Sequence, residues 1–373
     1  MTIFTLFIIY FIIFAGVNIY IVKRLINKIK IHTKIKLYIK IFLIFNLISV
    51  LIYRLGRYNI ELVSWFNFIT SISLGIFFIL LCITIFYDLS RLILSYSNFS
   101  RKRRVALKKI LDISVPFATL LFTLKTTYNV MHIEIEDVEI KIKNLKRDYK
   151  VVQLSDIHIG TLIEEDFMES IVKKVNLLNP DIIVITGDLV DIELSKAQKA
   201  LDKLKALKSK FGIYYIVGNR EYLYNMGKIM NAVRALGITV LENENIYVGE
   251  KDKGFSLVGV YDINGYILDI FRPSLNDALV GIRKDSPKIL LAHQPRFVRE
   301  VKDRVDLVLS GHTHGGQIFP FKYLVRLQQI YVSGLHNYTD KVQIYVSKGV
   351  GFSGPPMRLG ASSEITNITL KAS

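Results

Sequence analysis

The chain has 373 residues, is 51% hydrophobic and carries a formal net charge of +17. With a mean hydropathy of +0.34, it is too apolar for a purely soluble protein and long enough for a membrane region plus one domain of ordinary size. Its single cysteine, Cys82, lies in an apolar run and excludes an intrachain disulfide framework or a cysteine zinc site. The positive charge is unevenly placed: residues 1–130 hold 17 Lys/Arg against Glu61, Asp88 and Asp112, a balance of +14, which leaves +3 for the other 243 residues. Basic residues beside apolar segments set membrane orientation, and this account displaces a nucleic-acid partner.

Residues 3–22 are uncharged and match the hydrocarbon thickness at 1.5 Å per helical residue. Positive charge follows this run instead of preceding it, which reads as an anchor and not a cleaved signal. Further spans are expected at 41–53 and 62–87, and a weaker one at 110–130, interrupted by Asp112, Pro116 and Lys125. The basic segments 23–40 and 91–109 place both of those loops in the cytoplasm, whereas the connection after the second span has only Arg54 and Arg57. The expected protein is thus integral to the cell membrane. Four spans put the following domain outside the cytoplasm; three keep it inside.

From about residue 149 the pattern becomes that of a soluble domain. Short β-rich runs at 150–154, 181–186, 213–217, 255–260, 288–292 and 305–309 alternate, in the first half, with amphipathic segments at 165–178, 195–209 and 226–236. This alternation predicts an α/β domain, a two-sheet sandwich covered by helices, with more strands and a Gly/Pro-rich loop over 329–370. The expected organisation is a transmembrane region at 1–130 and a domain at 149–373.

The polar residues at the end of each run carry the chemistry. SDIHIG supplies Asp156 and His158, GDLVD supplies Asp188 and Asp191, and GNRE supplies Asn219, Arg220 and Glu221. AHQP supplies His293, and GHTHGGQ supplies His312 and His314. Taken singly, each has a bland reading: a helix-capping Asp, a turn Asn, a core or surface His. Together they sit at strand ends, which converge on one crevice in α/β domains, and they include four of the chain's seven histidines. Oxygen and imidazole donors without thiolate suit Mn, Fe or Zn. Seven donors exceed one tetrahedral ion and suit two divalent cations roughly 3.5–4 Å apart.

The ordered set D-x-H, G-D-x-x-D, G-N-x-E, a lone His and G-H-x-H resembles the calcineurin-like metallophosphoesterase family over about residues 149–370. The apolar N-terminal region and the tail SKGVGFSGPPMRLG resemble its membrane-anchored subfamily of transmembrane proteins with a metallophosphoesterase domain. That subfamily is similar to enzymes acting on UDP-2,3-diacylglucosamine or other lipid-linked phosphates. The resemblance implies a calcineurin-like αββα sandwich after the transmembrane helices. It implies a first metal on Asp156, His158 and His314, a bridging Asp188, and a second metal on Asn219, His293 and His312. It further implies phosphoester or pyrophosphate hydrolysis by a metal-bridging hydroxide.

One position departs from the pattern: the histidine that usually follows G-N is Arg220. Arginine remains protonated and cannot act as a general acid. Arg220 and Asp191 are therefore expected to act in catalysis as a pair, with Arg220 stabilising phosphate charge. Of the remaining candidates, His336 and Arg358 could face the site, Arg296 reads as a cap or surface residue, and His32 and His132 lack ligand spacing. The expected partners are a phosphorylated substrate, lipid-linked in the reading the spans favour, and the lipid bilayer. The competing class is a membrane sensor or scaffold that binds metal or phosphate with little turnover.

Overall fold

The computed structural model describes residues 3–59, 64–160 and 162–373. Two compact units divide the chain: Met1–Tyr128 with Gly354–Met357, and Asn129–Ser353 with Arg358–Ser373.

The first unit is helical, with α1 (Ile3–Ile21) running into a π-helical turn, then α2 (Thr33–Asn59), α3 (Ser64–Tyr96) and α4 (Arg101–Met131). The predicted spans 41–53 and 110–130 fall in α2 and α4. Span 62–87 falls in α3, apart from its first two residues, which lie outside the described set. Among the described residues, Ile8–Ile26 and Trp65–Tyr96 are long and apolar enough to cross a membrane, with mean hydropathies of 1.8 and 2.5. Ile21, Leu25, Leu43, Phe77 and Val115 form an apolar interior, while Ile12, Ile13, Ile44, Phe86 and Leu120 point outward. α1 and α3 thus present apolar side chains outward as well as inward. Asp112 is buried and accepts hydrogen bonds from the Tyr87 hydroxyl at 2.7 Å and the Lys30 amide at 3.2 Å. Its polar cost is thereby offset by partners distant in sequence.

The second unit contains two six-stranded sheets. One comprises β1 (Ile133–Ile142), β2 (Tyr149–Leu154), β3 (Ile182–Thr186), β4 (Ile213–Ile216), β5 (Thr239–Val240) and β12 (Ser363–Ala372), in the order β1-β12-β2-β3-β4-β5. The other comprises β6 (Glu244–Val248), β7 (Phe255–Gly259), β8 (Lys288–Leu291), β9 (Leu307–Ser310), β10 (Gly334–Asn337) and β11 (Gln343–Val346), in the order β10-β11-β9-β8-β7-β6. The six predicted β runs correspond to β2, β3, β4, β7, β8 and β9. The amphipathic segments correspond to α5 (Glu165–Leu177), α6 (Leu194–Asp202) and α7 (Met226–Ala235). Strand β1, unread in the sequence, is an edge strand paired in parallel with β12. Its charged residues Glu134, Glu136, Asp137 and Glu139 mask the apolar positions that pair inward.

Period-two alternation distributes the apolar side chains between layers. Val151, Ile182, Val184 and Ile216 face Leu257, Ile289, Leu291 and Leu309 between the two sheets. The alternate residues Val152, Ile183, Ile185 and Tyr215 pack on Met168, Ile171, Leu201 and Ile229 of α5, α6 and α7. The other sheet's outer face, Val258, Leu290, Val308 and Ile344, packs on Phe297, Val298 and Leu275. The result is a calcineurin-like αββα sandwich. Because β2, β3 and β4 are parallel, as are β7, β8 and β9, their carboxyl ends lie on common edges.

Candidate active site

Each of the five strand ends named by the sequence contributes to one buried cluster. Asp156 and His158 follow β2, Asp188 follows β3, Asn219 follows β4, His293 follows β8, and His312 and His314 follow β9. Donor atoms of Asp156, His158 and His314 lie within 4.8 Å of one another, as do those of Asp188, His293 and His312. Asp188 stands between the groups: Oδ1 is 3.3 Å from His293 Nε2, and Oδ2 is 3.8 Å from His158 Nε2. Asn219 Oδ1 lies 3.1 Å from His293 Nε2.

The backbone is bent to achieve this. Asp156, His158, Asp188, His312 and His314 all have positive φ, between 51° and 69°. A non-glycine residue there costs on the order of 1 kcal/mol or more, and such strain concentrates at functional sites. Glycines make the close approaches possible. A Cβ on Gly311 would overlap Ser155 Oγ and Asp156 Oδ2, and one on Gly218 would overlap the Asp188 amide and carboxylate.

Surrounding groups orient the donors. Asp156 Oδ2 accepts from Ser155 Oγ at 2.6 Å and from the His312 amide at 2.8 Å. Its buried Oδ1 has no hydrogen-bond partner and points towards His314 Nε2, 3.5 Å away. His293 Nδ1 donates to the Thr186 carbonyl at 2.8 Å, which directs Nε2 at Asp188. His158 Nδ1 lies 3.7 Å from Asp191 Oδ2. Glu221, fully buried, accepts from the amides of Asp188, Leu189, Val190 and Gly218 at 2.7–3.2 Å. It thereby ties the β3 and β4 loops together. GNRE contains this residue, but nothing in its spacing announces four amide partners.

Burial keeps two imidazoles neutral. Assisted by nearby His293, it pushes His312 down to about 3. Assisted by His158 and Arg358, it holds His314 well below the ordinary range. Burial disfavours charge on His158 and His293 too, but Asp191 beside the first and Asp188 beside the second prevail, and both are raised. Burial likewise opposes ionisation of Asp188, yet His293, His158 and His312 keep its carboxyl below the ordinary range. Asp188 thus demands positive charge beside it, whereas burial raises the carboxyl of Asp156. An orphaned carboxylate oxygen and two Nε2 atoms facing each other at 3.0 Å (His158 and His314) are what a cation would satisfy. The residues fit divalent metal.

Arg220 is half-buried beside the centre, with its amide on Asp188 Oδ1 at 2.7 Å. Its guanidinium is 3.6 Å from Asp191 Oδ1 and donates to Ser353 Oγ at 2.6 Å. Arg296, which its sequence context assigns to a cap or the surface, is close enough to His312 to disfavour its protonation. Arg358 is fully buried; its guanidinium donates to the carbonyls of Lys348, Gly349, Gly351 and Ser362 and lies 3.2 Å from His314 Nδ1. It braces the loop behind His314 and does not face a substrate. His336 bonds the Ser333 carbonyl at 2.9 Å and stacks on Tyr331.

An αββα sandwich with this donor set at its strand ends defines a metallophosphoesterase. The chain belongs to the calcineurin-like phosphoesterase family, whose profile matches residues 149–316, and with that membership comes phosphoester hydrolase activity. An uncharacterized metallophosphoesterase of Campylobacter jejuni is 35% identical over 367 residues, covering 96% of each chain. One from Helicobacter pylori is 39% identical over 276 residues, 73% of this chain and 74% of its own length. A Bos taurus protein named transmembrane protein with metallophosphoesterase domain is 34% identical over 290 residues, 74% of this chain and 65% of its own length.

Proposed function

We propose that this chain is a membrane-anchored phosphohydrolase with two divalent cations, acting on a lipid-linked phosphoester or pyrophosphate. The observation that carries the dinuclear reading is Asp188, whose two oxygens address different imidazoles, His293 at 3.3 Å and His158 at 3.8 Å. Asp156, His158 and His314 would hold one cation, Asn219, His293 and His312 the other, with Asp188 shared. Bound there, the cations would supply water activation near neutral pH and charge neutralisation on phosphoryl oxygens.

The chain's own groups do the rest. Asp191 orients His158, and His293 is fixed by the Thr186 carbonyl. Arg220, permanently charged, is placed to bind a phosphate oxygen and cannot protonate a leaving group. Leaving groups that are already good, such as the phosphoryl group of a pyrophosphate, are therefore favoured over alkoxides. Anchoring rests on the two long apolar helices and on relatives named transmembrane proteins. Four membrane crossings would place the domain outside the cytoplasm and three inside; a reporter fused after Ser373 reads which.

The test is manganese-dependent cleavage of bis(p-nitrophenyl) phosphate by the full chain, with bound metal measured in parallel. Asp188→Asn should abolish turnover and lower metal content. Arg220 is the one feature that favours a sensor with little turnover. Metal binding without any cleavage by the wild type would support that reading instead.

A further inference from the structure

The helix Lys322–Gln329, beside the histidine loop, is turned inside out. Its buried residue is polar: Gln329 is 0% exposed, with Nε2 donating to Gln294 Oε1 at 2.9 Å. Its apolar residues face outward: Leu327 is 84% exposed, Leu324 59% and Tyr323 57%, and Phe319 and Phe321 extend the surface on the N-terminal side. Single exposed apolar residues are ordinary, but a contiguous patch signals a partner.

Charge and position identify that partner. No Asp or Glu occurs between residues 307 and 339. Lys322 lies over the Phe319 and Tyr323 rings at 5.6 and 5.4 Å, and Arg326 is exposed one turn further on. Aromatic and leucine side chains bordered by Lys and Arg, without acids, match the headgroup region of an anionic bilayer. The helix also abuts the metal-site loop, because a Cβ on Gly316 would overlap the Lys322 backbone. Only His132 separates the end of α4 at Met131 from the start of β1 at Ile133, so in the anchored reading the domain has almost no linker with which to leave the bilayer.

We infer that Phe319–Leu327 is an interfacial docking element that seats the catalytic domain on the bilayer, presenting the metal site to phosphates in the headgroup layer. This deepens the lipid-linked reading above and rests on its anchored enzyme. The element is a positioning device and touches no reacting atom.

The test uses the full chain with Cys82→Ala, carrying a nitrobenzoxadiazole label at Leu327→Cys or, as control, at the exposed Lys251→Cys. The protein is reconstituted in vesicles of phosphatidylcholine and phosphatidylglycerol at 3:1, with or without doxyl-labelled lipid. The label at 327 should shift to the blue and be quenched by doxyl lipid, and the label at 251 should not. Adding Lys322→Glu and Arg326→Glu, or using phosphatidylcholine alone, should reduce the quenching, with bound metal unchanged. Equal doxyl quenching at both positions overturns the inference. So does a label at 327 that is shielded from aqueous iodide yet untouched by doxyl lipid, which would mean a second copy of the chain covers the patch. The readout needs no turnover. Failure to cleave vesicle-borne phosphate would refute the substrate reading alone, and absence of quenching with cleavage intact would refute docking alone.

Discussion

Gly311→Ala is the sharpest probe of the centre, because the residue is no ligand and its φ is not in the left-handed region. The added methyl would overlap Ser155 Oγ and Asp156 Oδ2, and would stand 2.9 Å from Ser155 Cβ. These oxygens form the 2.6 Å hydrogen bond that, with the His312 amide at 2.8 Å, holds Asp156 Oδ2 in place. Ser155 Oγ can rotate away, which forfeits one charge-assisted bond of about 1.5–3 kcal/mol. If Oδ2 shifts as well, the second bond goes, for about 3–6 kcal/mol in all. A misplacement of about 1 Å also costs on the order of a hundredfold in rate. The expected variant is folded, melts lower, loses metal from the Asp156 group before the Asp188 group, and turns over bis(p-nitrophenyl) phosphate about a hundredfold more slowly. Ser155→Ala in the same chain removes the worst overlap and should recover part of the metal content, a coupling that a double-mutant cycle measures. Wild-type metal content and rate in Gly311→Ala would refute the proposed packing of Asp156.

Glu221→Ala should leave four amides without their acceptor. Amides in the segment Asp188–Val190 should exchange roughly ten- to a hundredfold faster by hydrogen-exchange mass spectrometry, at about 1–3 kcal/mol for each lost acceptor; unchanged exchange would remove Glu221 from its bracing role. Arg220→His should raise turnover of an alkyl phosphate more than that of an activated aryl phosphate, because it restores a group able to protonate a poor leaving group. A gain confined to the aryl substrate would contradict the charge-stabilising role. Lys348→Met should destabilise the domain by about 3 kcal/mol, because it takes the cation from the fully buried Glu364, whose Oε2 lies 3.1 Å from Lys348 Nζ, while Oε1 keeps the Tyr345 and Thr366 hydroxyls. Burial opposes charge on Lys348, but Glu364 and Glu136 prevail and raise it above its ordinary value. Its stabilising contribution is therefore complete below about pH 10.5 and lost as pH rises beyond its folded value, so the wild-type melting advantage over Lys348→Met should shrink there.

The sequence by itself determined six strands and three helices of the catalytic half and the identity of its chemistry. Buried parallel strands must be short apolar runs, and the polar residue that ends each run must sit at the sheet's edge. Asp156, Asp188, Asn219, His293 and His312 were therefore legible one strand end at a time. Strand β1 was not, because an edge strand keeps charged residues on its open face and loses the apolar signature. Nor were the tasks of Glu221 and Arg358: one carboxylate gathers amides from two loops, and one guanidinium gathers carbonyls from segments brought together by β12. The helix Lys322–Gln329 went unread in the sequence, and so did its inside-out face, because which residues the fold turns inward is a property of packing. Tertiary structure alone decided these matters, since hydrogen-bond partners and burial are properties of segments distant along the chain that meet only once both sheets have closed on their shared core.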